Sequence, residues 1–457
     1  MNKTPDTDSR PLRVLIIVDS LHWVIGNFAH QITKNNPALD TVTCSQLAIR
    51  KTIKRFGPFP TYFDVVHFLR TKTISEFWGN LPIVTTLHHL DPETDLTPFF
   101  QSDAVMTVSN QWQQQLLQLG IPESHQALVP FGVDTKTFHP PKEKTRLKIR
   151  QNLDLPKDAF VLGFSSRRIS NMADRKGVTC FRQALQSLKQ QLPNLATLII
   201  GPGWQALAKD MRQQGIPCAQ APYEMTHEQV AKFYSAIDLF WVTSRVEGGP
   251  VPLLEAMASS IPCISTPVGA ALDLIHDGKN GFIVPFDSPE LFVNRSLQLA
   301  QDEALRSTIG NEARKTILQK RQWSHVGREL QELYRLAINN FHSRSKDDDT
   351  QDESCKKTKR KIQKDSKQEP MTEDGFFSRK VQNWIYVCEQ INGLRLMTEM
   401  REWNTACLFG LRALRTTPFD PYLWKELIST LIKRKKVSAP QAKRDEAPIL
   451  LTPEQRH

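Results

Sequence analysis

Ten short apolar runs recur through the first 345 residues, and they restrict this chain to very few architectures. Leu12–Val18 (LRVLIIV) sets the type, and Asp64–Leu69, Ile83–Leu87, Ala104–Val108 and Ala127–Pro130 follow it. The second group is Phe160–Phe164, Ala196–Ile200, Asp238–Val242, Pro262–Ser265 and Gly281–Val284. Their hydrophobicity is continuous, where a half-exposed strand would alternate. Continuous runs of this length mark strands buried on both faces of a parallel sheet. Longer stretches with helical spacing, such as Asn110–Gly120 and Lys176–Gln190, lie between them. Strand–helix alternation predicts an α/β fold with right-handed crossovers. Ten strands are many for one open sheet, so two sheets are expected, divided in the polar, proline-bearing Val133–Lys144 (VDTKTFHPPKEK). Ligands of such sheets bind beyond the carboxyl ends of the strands. With two facing sheets that place is the cleft between them.

The pattern changes after a last amphipathic helix near Trp323–Asn339, where Trp323, Val326, Leu330, Leu333 and Ala337 share one face. Ser343–Asp374 has almost no apolar content and mixed charge blocks, and it reads as a disordered linker. Gly375–Lys436 is again apolar and helical. Ala406, Ala413, Pro418, Trp424 and Leu427 fall in a partial tetratricopeptide-like layout of about one and a half repeats. So few repeats leave an apolar face to be covered by the core, by a second copy or by another protein. The linker favours a tethered, partner-recruiting module over a plain helical cap.

Composition excludes several classes. The seven cysteines show no CxxC pair, which argues against a disulfide framework or a zinc ribbon. No apolar run reaches the ~18 residues of a membrane span, and MNKTPDTDSRPLR lacks the apolar core of a signal peptide. A cytoplasmic protein is expected, with peripheral attachment at the inner membrane surface as a secondary expectation. The net charge of +11 is compatible with anionic ligands. The basic runs Lys356–Lys361 and Lys433–Lys436 have no interleaved aromatic residues, so no nucleic-acid partner is expected. No P-loop, HExxH or GxSxG motif occurs.

The segment with the most chemistry is Ser244–Ala258, SRVEGGPVPLLEAMA. Glu247 and Glu255 flank the turn Gly248-Gly249-Pro250 between a strand and a helix start. Free backbone N–H groups and the helix dipole at such a turn suit an anion. A carboxylate on either side can accept sugar or ribose hydroxyls.

SRVEGGPVPLLEAMASSIPCISTPVGA resembles the E-x7-E donor signature of retaining glycosyltransferases with the GT-B fold, the large group that includes sucrose synthases and mannosyltransferases. Asp103–Pro140, Gly163–Val178 and Pro267–Pro285 resemble further segments of that family, in family order, over about residues 12–340. The resemblance implies two facing Rossmann-like domains, an acceptor-side domain at 1–140 and a nucleotide-sugar domain at 141–342. A charged linker (343–374), a helical extension (375–440) and a tail (441–457) follow. It also implies a hexosyltransferase acting by a metal-independent front-face mechanism, with no cofactor beyond its donor, a nucleotide-diphosphate sugar and most often a UDP-sugar. The acceptor would be a glycan, a lipid-linked sugar, a protein or a small molecule.

Carried over by residue, Arg167 (or its neighbour Arg168) and Lys176 match the family's diphosphate contacts. Glu247 matches the contact to donor-sugar hydroxyls, and Glu255 the ribose contact. Gly248, Gly249, Pro250, Val251 and Pro252 fall where backbone faces sugar and phosphate. Gly203 closes a strand-end GxG turn that lets backbone approach the nucleotide. In TTLHHLD, His88, with His89 second, matches a histidine near the reacting carbon. The first-strand turn SLHWVIGNFAH departs from the usual glycine-rich form, and Trp23 and Gly26 stand there as acceptor-side candidates. The alternative reading is a catalytically weak scaffold acting through its C-terminal helices.

Overall fold

The computed structural model describes residues 10–21, 24–56, 62–70, 81–91, 93–167, 175–221, 227–348, 379–399, 403–416 and 424–429. Trp23, Arg168, Pro418, both basic runs, residues 349–374 and the tail lie outside these described residues.

Twelve strands form two parallel sheets of six. The first has the order β2-β1-β3-β4-β5-β6, from β1 (Leu12–Val18), β2 (Leu39–Ser45), β3 (Val65–Phe68), β4 (Ile83–Leu87), β5 (Ala104–Thr107) and β6 (Gln126–Leu128). The second has the order β12-β11-β10-β7-β8-β9, from β7 (Phe160–Ser165), β8 (Leu195–Ile200), β9 (Cys218–Gln220), β10 (Leu239–Val242), β11 (Cys263–Ser265) and β12 (Phe282–Ile283). All ten expected runs contribute strands. The two additional strands, β2 and β9, are both sheet edges. An edge strand pairs on one side only, and β2 (LDTVTCS) carries polar residues that are partly or fully exposed.

The helices of the first half are α1 (Val24–Asn35), α2 (Gln46–Phe56), α3 (Thr97–Gln101) and α4 (Asn110–Gln118). Those of the second half are α5 (Glu143–Asn152), α6 (Val178–Gln191), α7 (Gln205–Gln213), α8 (His227–Tyr234), α9 (Val251–Ala258), α10 (Ala270–Leu274), α11 (Pro289–Gln301) and α12 (Glu303–Lys320). Then come α13 (Trp323–Asp348), α14 (Arg379–Glu399) and α15 (Trp403–Thr416).

Side chains alternate across β1 and assign its two faces. Val14, Ile16 and Val18 point into the cluster that holds Val326, Leu330, Leu333 and Ala337 of α13. Leu15 and Ile17 point the other way, into a cluster with Ala48 and Ile49 of α2 and Val381, Trp384, Ile385 and Cys388 of α14.

Two expectations change here. The sequence sets α13 in the second domain and opens a disordered linker at Ser343. The helix instead lies on the first sheet, where Tyr334 Oη and His67 Nδ1 are 2.9 Å apart and Asn340 Nδ2 donates to Asp103 O at 2.8 Å. It continues through 343–348 to Asp348. Its apolar face needs a partner, and one face of the first sheet supplies it. The expected tethered module is likewise corrected. α14 is a layer on the other face of that sheet, with the Arg55 guanidinium 4.1 Å over the Trp384 ring. The apolar face that one and a half repeats could not cover is covered by the core. Among the described residues, no helix is long and apolar enough to cross a membrane.

Candidate active site

A cleft of about 930 Å³ opens between the two sheets. Strand order reverses at β1/β3 in one sheet and β7/β10 in the other. Asp19, just past β1, and Ser165–Arg167 at the end of β7 line the cleft, as do Ser244 and Glu247 beyond β10. This agrees with the rule that ligands sit at switch points.

The turn after β10 is built by close approach. A Cβ on Gly248 would come within 1.8 Å of His88 O, so the two domains touch backbone to side-chain-free backbone at this residue. Trp112 Nε1 donates to Glu247 O at 2.8 Å and Gln111 Oε1 accepts the Gly269 N–H at 2.7 Å, both from α4 of the first domain. Gly249 packs its bare face on the Phe131 ring, and that ring lies 5.7 Å from the His88 ring. Gly248, Gly249, Pro250, Val251 and Pro252 all line the cleft, which places the first residues of α9 at its wall.

Lys176 Nζ donates to Glu247 Oε1, and Ser244 Oγ donates to the same oxygen at 2.8 Å. Burial alone would raise the Glu247 carboxyl. The charge and hydrogen bond of Lys176, with Ser244 and Arg175, outweigh it and hold the group below its ordinary value. Gly177 takes a left-handed φ of 62°, and its Cβ would collide with Thr243 O, so only glycine lets this loop sit against β10. Glu255 is buried in α9, and Tyr234 Oη donates to its Oε2 at 2.6 Å. Burial pushes its carboxyl up to about 7, against the pull of the Tyr234 hydrogen bond.

His88 Nε2 donates to Leu69 O at 2.9 Å, which fixes the tautomer and leaves Nδ1 as an acceptor. Burial drives its pKa down to about 3, so the ring is neutral near pH 7. His89 turns to a different task. Its Nε2 accepts from Arg175 Nη1 at 2.7 Å, and Asp91 Oδ2 lies 3.2 Å away, which links the domains across the cleft.

The structure thus brings His88, Arg167, Lys176, Glu247, Glu255 and the 248–252 turn to one cavity. Gly203 does not join them. It has a left-handed φ of 88°, but the cleft is lined by Gly201 and Pro202 instead, one turn position earlier. Sequence reasoning missed Arg175, although it precedes Lys176 directly, and it missed Tyr234, Asp19 and Trp112. Tyr234 and Trp112 reach the site through partners 21 and 135 positions away, and Asp19 is tied through its carbonyl to Asn392, 373 positions away. Among the described residues, no group of three or more His, Cys, Asp or Glu could hold a metal ion.

Comparisons with known proteins agree with this architecture. Residues 142–316 match the family model of glycosyl transferases group 1, and residues 27–137 match that of glycosyltransferase family 4. N-acetyl-alpha-D-glucosaminyl L-malate synthase of Bacillus anthracis is 22% identical over 350 residues, 72% of this chain and 87% of that protein. The lipopolysaccharide core biosynthesis mannosyltransferase LpsB of Rhizobium meliloti is 27% identical over 208 residues, 44% of this chain and 56% of that one. The chain spans about half the length of several curated relatives that it matches. The crystal structure of Anabaena HepE in complex with UDP-glucose is 19% identical, covers 70% of this chain and 98% of its own, and superposes with a TM-score of 0.58, a likeness of fold. With the sheets, both matched segments and the structural neighbours in agreement, the chain has a GT-B-like fold of two facing parallel sheets, and its residues 142–316 are similar to the group 1 glycosyl transferases.

Proposed function

We propose that the chain transfers a sugar from a nucleotide-diphosphate sugar, a UDP-sugar first among them, to an acceptor hydroxyl with retention of anomeric configuration and without a metal. The observation that carries this reading is the meeting of Arg167 and Lys176, the start of α9, and the carboxylates Glu247 and Glu255 in one cleft. Arg167, Lys176 and the α9 N-terminus take the diphosphate. Glu255 accepts ribose hydroxyls, while Glu247 and the Nδ1 of neutral His88 orient the sugar. The bond from the anomeric carbon to phosphate breaks as the acceptor oxygen bonds to the same face of that carbon. The acceptor's proton passes to the departing phosphate oxygen. The fixed cations stabilise the charge that grows on that oxygen, a preorganised effect worth a few kcal/mol for each group.

Lys176 and Glu247 neutralise each other in the ligand-free chain, so donor entry must divide the pair between phosphate and sugar. That UDP and UDP-glucose are the ligands named for the HepE structures favours uridine over other bases. Calorimetry with UDP, GDP and ADP, each with and without EDTA, tests the reading. UDP binding unchanged by EDTA is expected, and failure of all three nucleotides to bind would refute it.

A further inference from the structure

We propose that Asn392 of α14, which does not itself line the cleft, is a positioning residue that sets the turn after β1 on the acceptor side. Neither matched family segment, 27–137 or 142–316, includes the turn or the helix. Asn392 Nδ2 donates to Asp19 O at 2.8 Å. Asp19 lines the cleft, and its Oδ1 accepts the Ser20 N–H at 2.8 Å, so the carboxylate is folded onto its own turn. On the opposite side the turn is closed by α1, where a Cβ on Gly26 would lie 2.4 Å from Ser20 O. The backbone of residues 19–21 is therefore gripped between Gly26 and Asn392.

The helix that carries Asn392 is itself fixed at this end of the sheet. Glu389, three residues earlier and on the same face, is buried and accepts the Ser45 N–H at 2.7 Å. Ser45 ends β2 and is in register with Val18, the last residue of β1. Two polar contacts from one helix face thus reach the carboxyl ends of two neighbouring strands. The diphosphate candidates Arg167 and Lys176 belong to the other domain. Asp19 lines the same cleft from the first domain, on the side where a hydroxyl-bearing acceptor would enter. Loss of the Asn392 contact would release this wall and leave the donor wall in place.

This inference rests on the proposed transfer reaction, and its test separates the two. The full chain and its Asn392→Asp, Asn392→Ala and Tyr386→Ala variants are given UDP-glucose with octyl glucoside. The ratio of disaccharide product to free glucose is measured, alongside UDP affinity and amide exchange of the peptide containing residues 19–21. Asparagine to aspartate keeps the shape and removes the donor. Both Asn392 variants are expected to lower the product ratio roughly tenfold and to speed exchange at 19–21. UDP affinity and exchange at 244–258 should stay unchanged. Tyr386, 42% exposed on α14, should behave as wild type. Unchanged exchange at 19–21 in the Asn392 variants would overturn the proposal whatever the enzyme's substrates. So would faster exchange accompanied by an equal loss of UDP affinity. A wild-type chain that neither binds UDP nor consumes UDP-glucose would instead break the reading of the cleft, with exchange still deciding the role of Asn392.

Discussion

The two walls of the cleft are built in opposite ways. The donor wall is drawn from two short sequence blocks of one domain. Lys176, Gly177, Thr243, Ser244, Glu247, Gly248 and Glu255 occupy two short loops and the helix α9, and the loops are locked by Thr243 Oγ1 donating to Lys176 O at 2.8 Å. The wall after β1 is assembled from afar. Asp19 and Asn392 are 373 positions apart, and Ser45 and Glu389 are 344 apart. A site made from two strand-end loops of one domain shows as two short blocks of neighbouring positions, 175–177 and 243–255. A site made by tertiary packing draws its residues from wherever the chain happens to return. The difference predicts that damage to the packed layer acts on folding and acceptor use, whereas damage to the donor loops acts on turnover.

The largest effect should come from removing the packed layer. Ending the chain after Asp348 uncovers the surfaces that bury Trp384, Ile385 and Val381. At roughly 1.5–3 kcal/mol for each large apolar side chain, that is comparable with the whole stability of a domain. The truncated chain should aggregate or lose most of its cooperative melting transition in calorimetry. A soluble truncated core with an unchanged melting temperature would mean that α14 and α15 are an independent appendage, as the linker had suggested.

Next in size is the donor wall. Lys176→Ala should reduce kcat roughly 10²–10³-fold, while Thr243 Oγ1, which bonds the backbone carbonyl of residue 176, keeps the loop in place. Because the substitution also leaves Glu247 buried without its cation, thermal unfolding must be measured beside turnover. A kcat near wild type would remove Lys176 from the diphosphate contacts.

A smaller effect concerns pH. Burial raises the Glu255 carboxyl to about 7 in the ligand-free chain. Ribose hydroxyls that donate to it favour the ionised form, so nucleotide binding near neutrality should release a proton. Affinity should then rise as pH increases from 6 to 8, by roughly tenfold at most. The same raised value makes folding stability fall as pH rises from the unfolded value of 4.5 toward 7, because the folded state holds a proton that the unfolded chain releases. Titration calorimetry in buffers of different ionisation heat reads the proton directly, and Glu255→Gln should abolish the release. His88, driven down to about 3, should contribute no ionisation near pH 6.5.

These contrasts also explain what could be read from the sequence. Strands covered on both faces announce themselves as continuous apolar runs, as in β1 and β8, whose interiors are fully buried. Edge position alone does not hide a strand, since β6 and β12 are edges as well; β2 stayed hidden because it retains exposed polar residues, and β9 because it is three residues long and ends in Gln220. The glycines and carboxylates of 244–258 were legible because close approach and charge must come from those positions. The GxG turn was legible as a turn, but which of its glycines meets the cleft depends on where the strand ends. The path of α13 was not legible, since an amphipathic face shows that a partner exists and gives no address for it. The same holds for α14, whose partly repetitive spacing pointed to repeats while its buried face fits the first sheet.

The central claim, transfer from one face of the donor sugar, is tested most directly by following UDP-glucose turnover by proton NMR and observing the anomer formed before mutarotation. The account predicts the α-configured product first, whether water or an alcohol is the acceptor. First appearance of the β-configured product would contradict it.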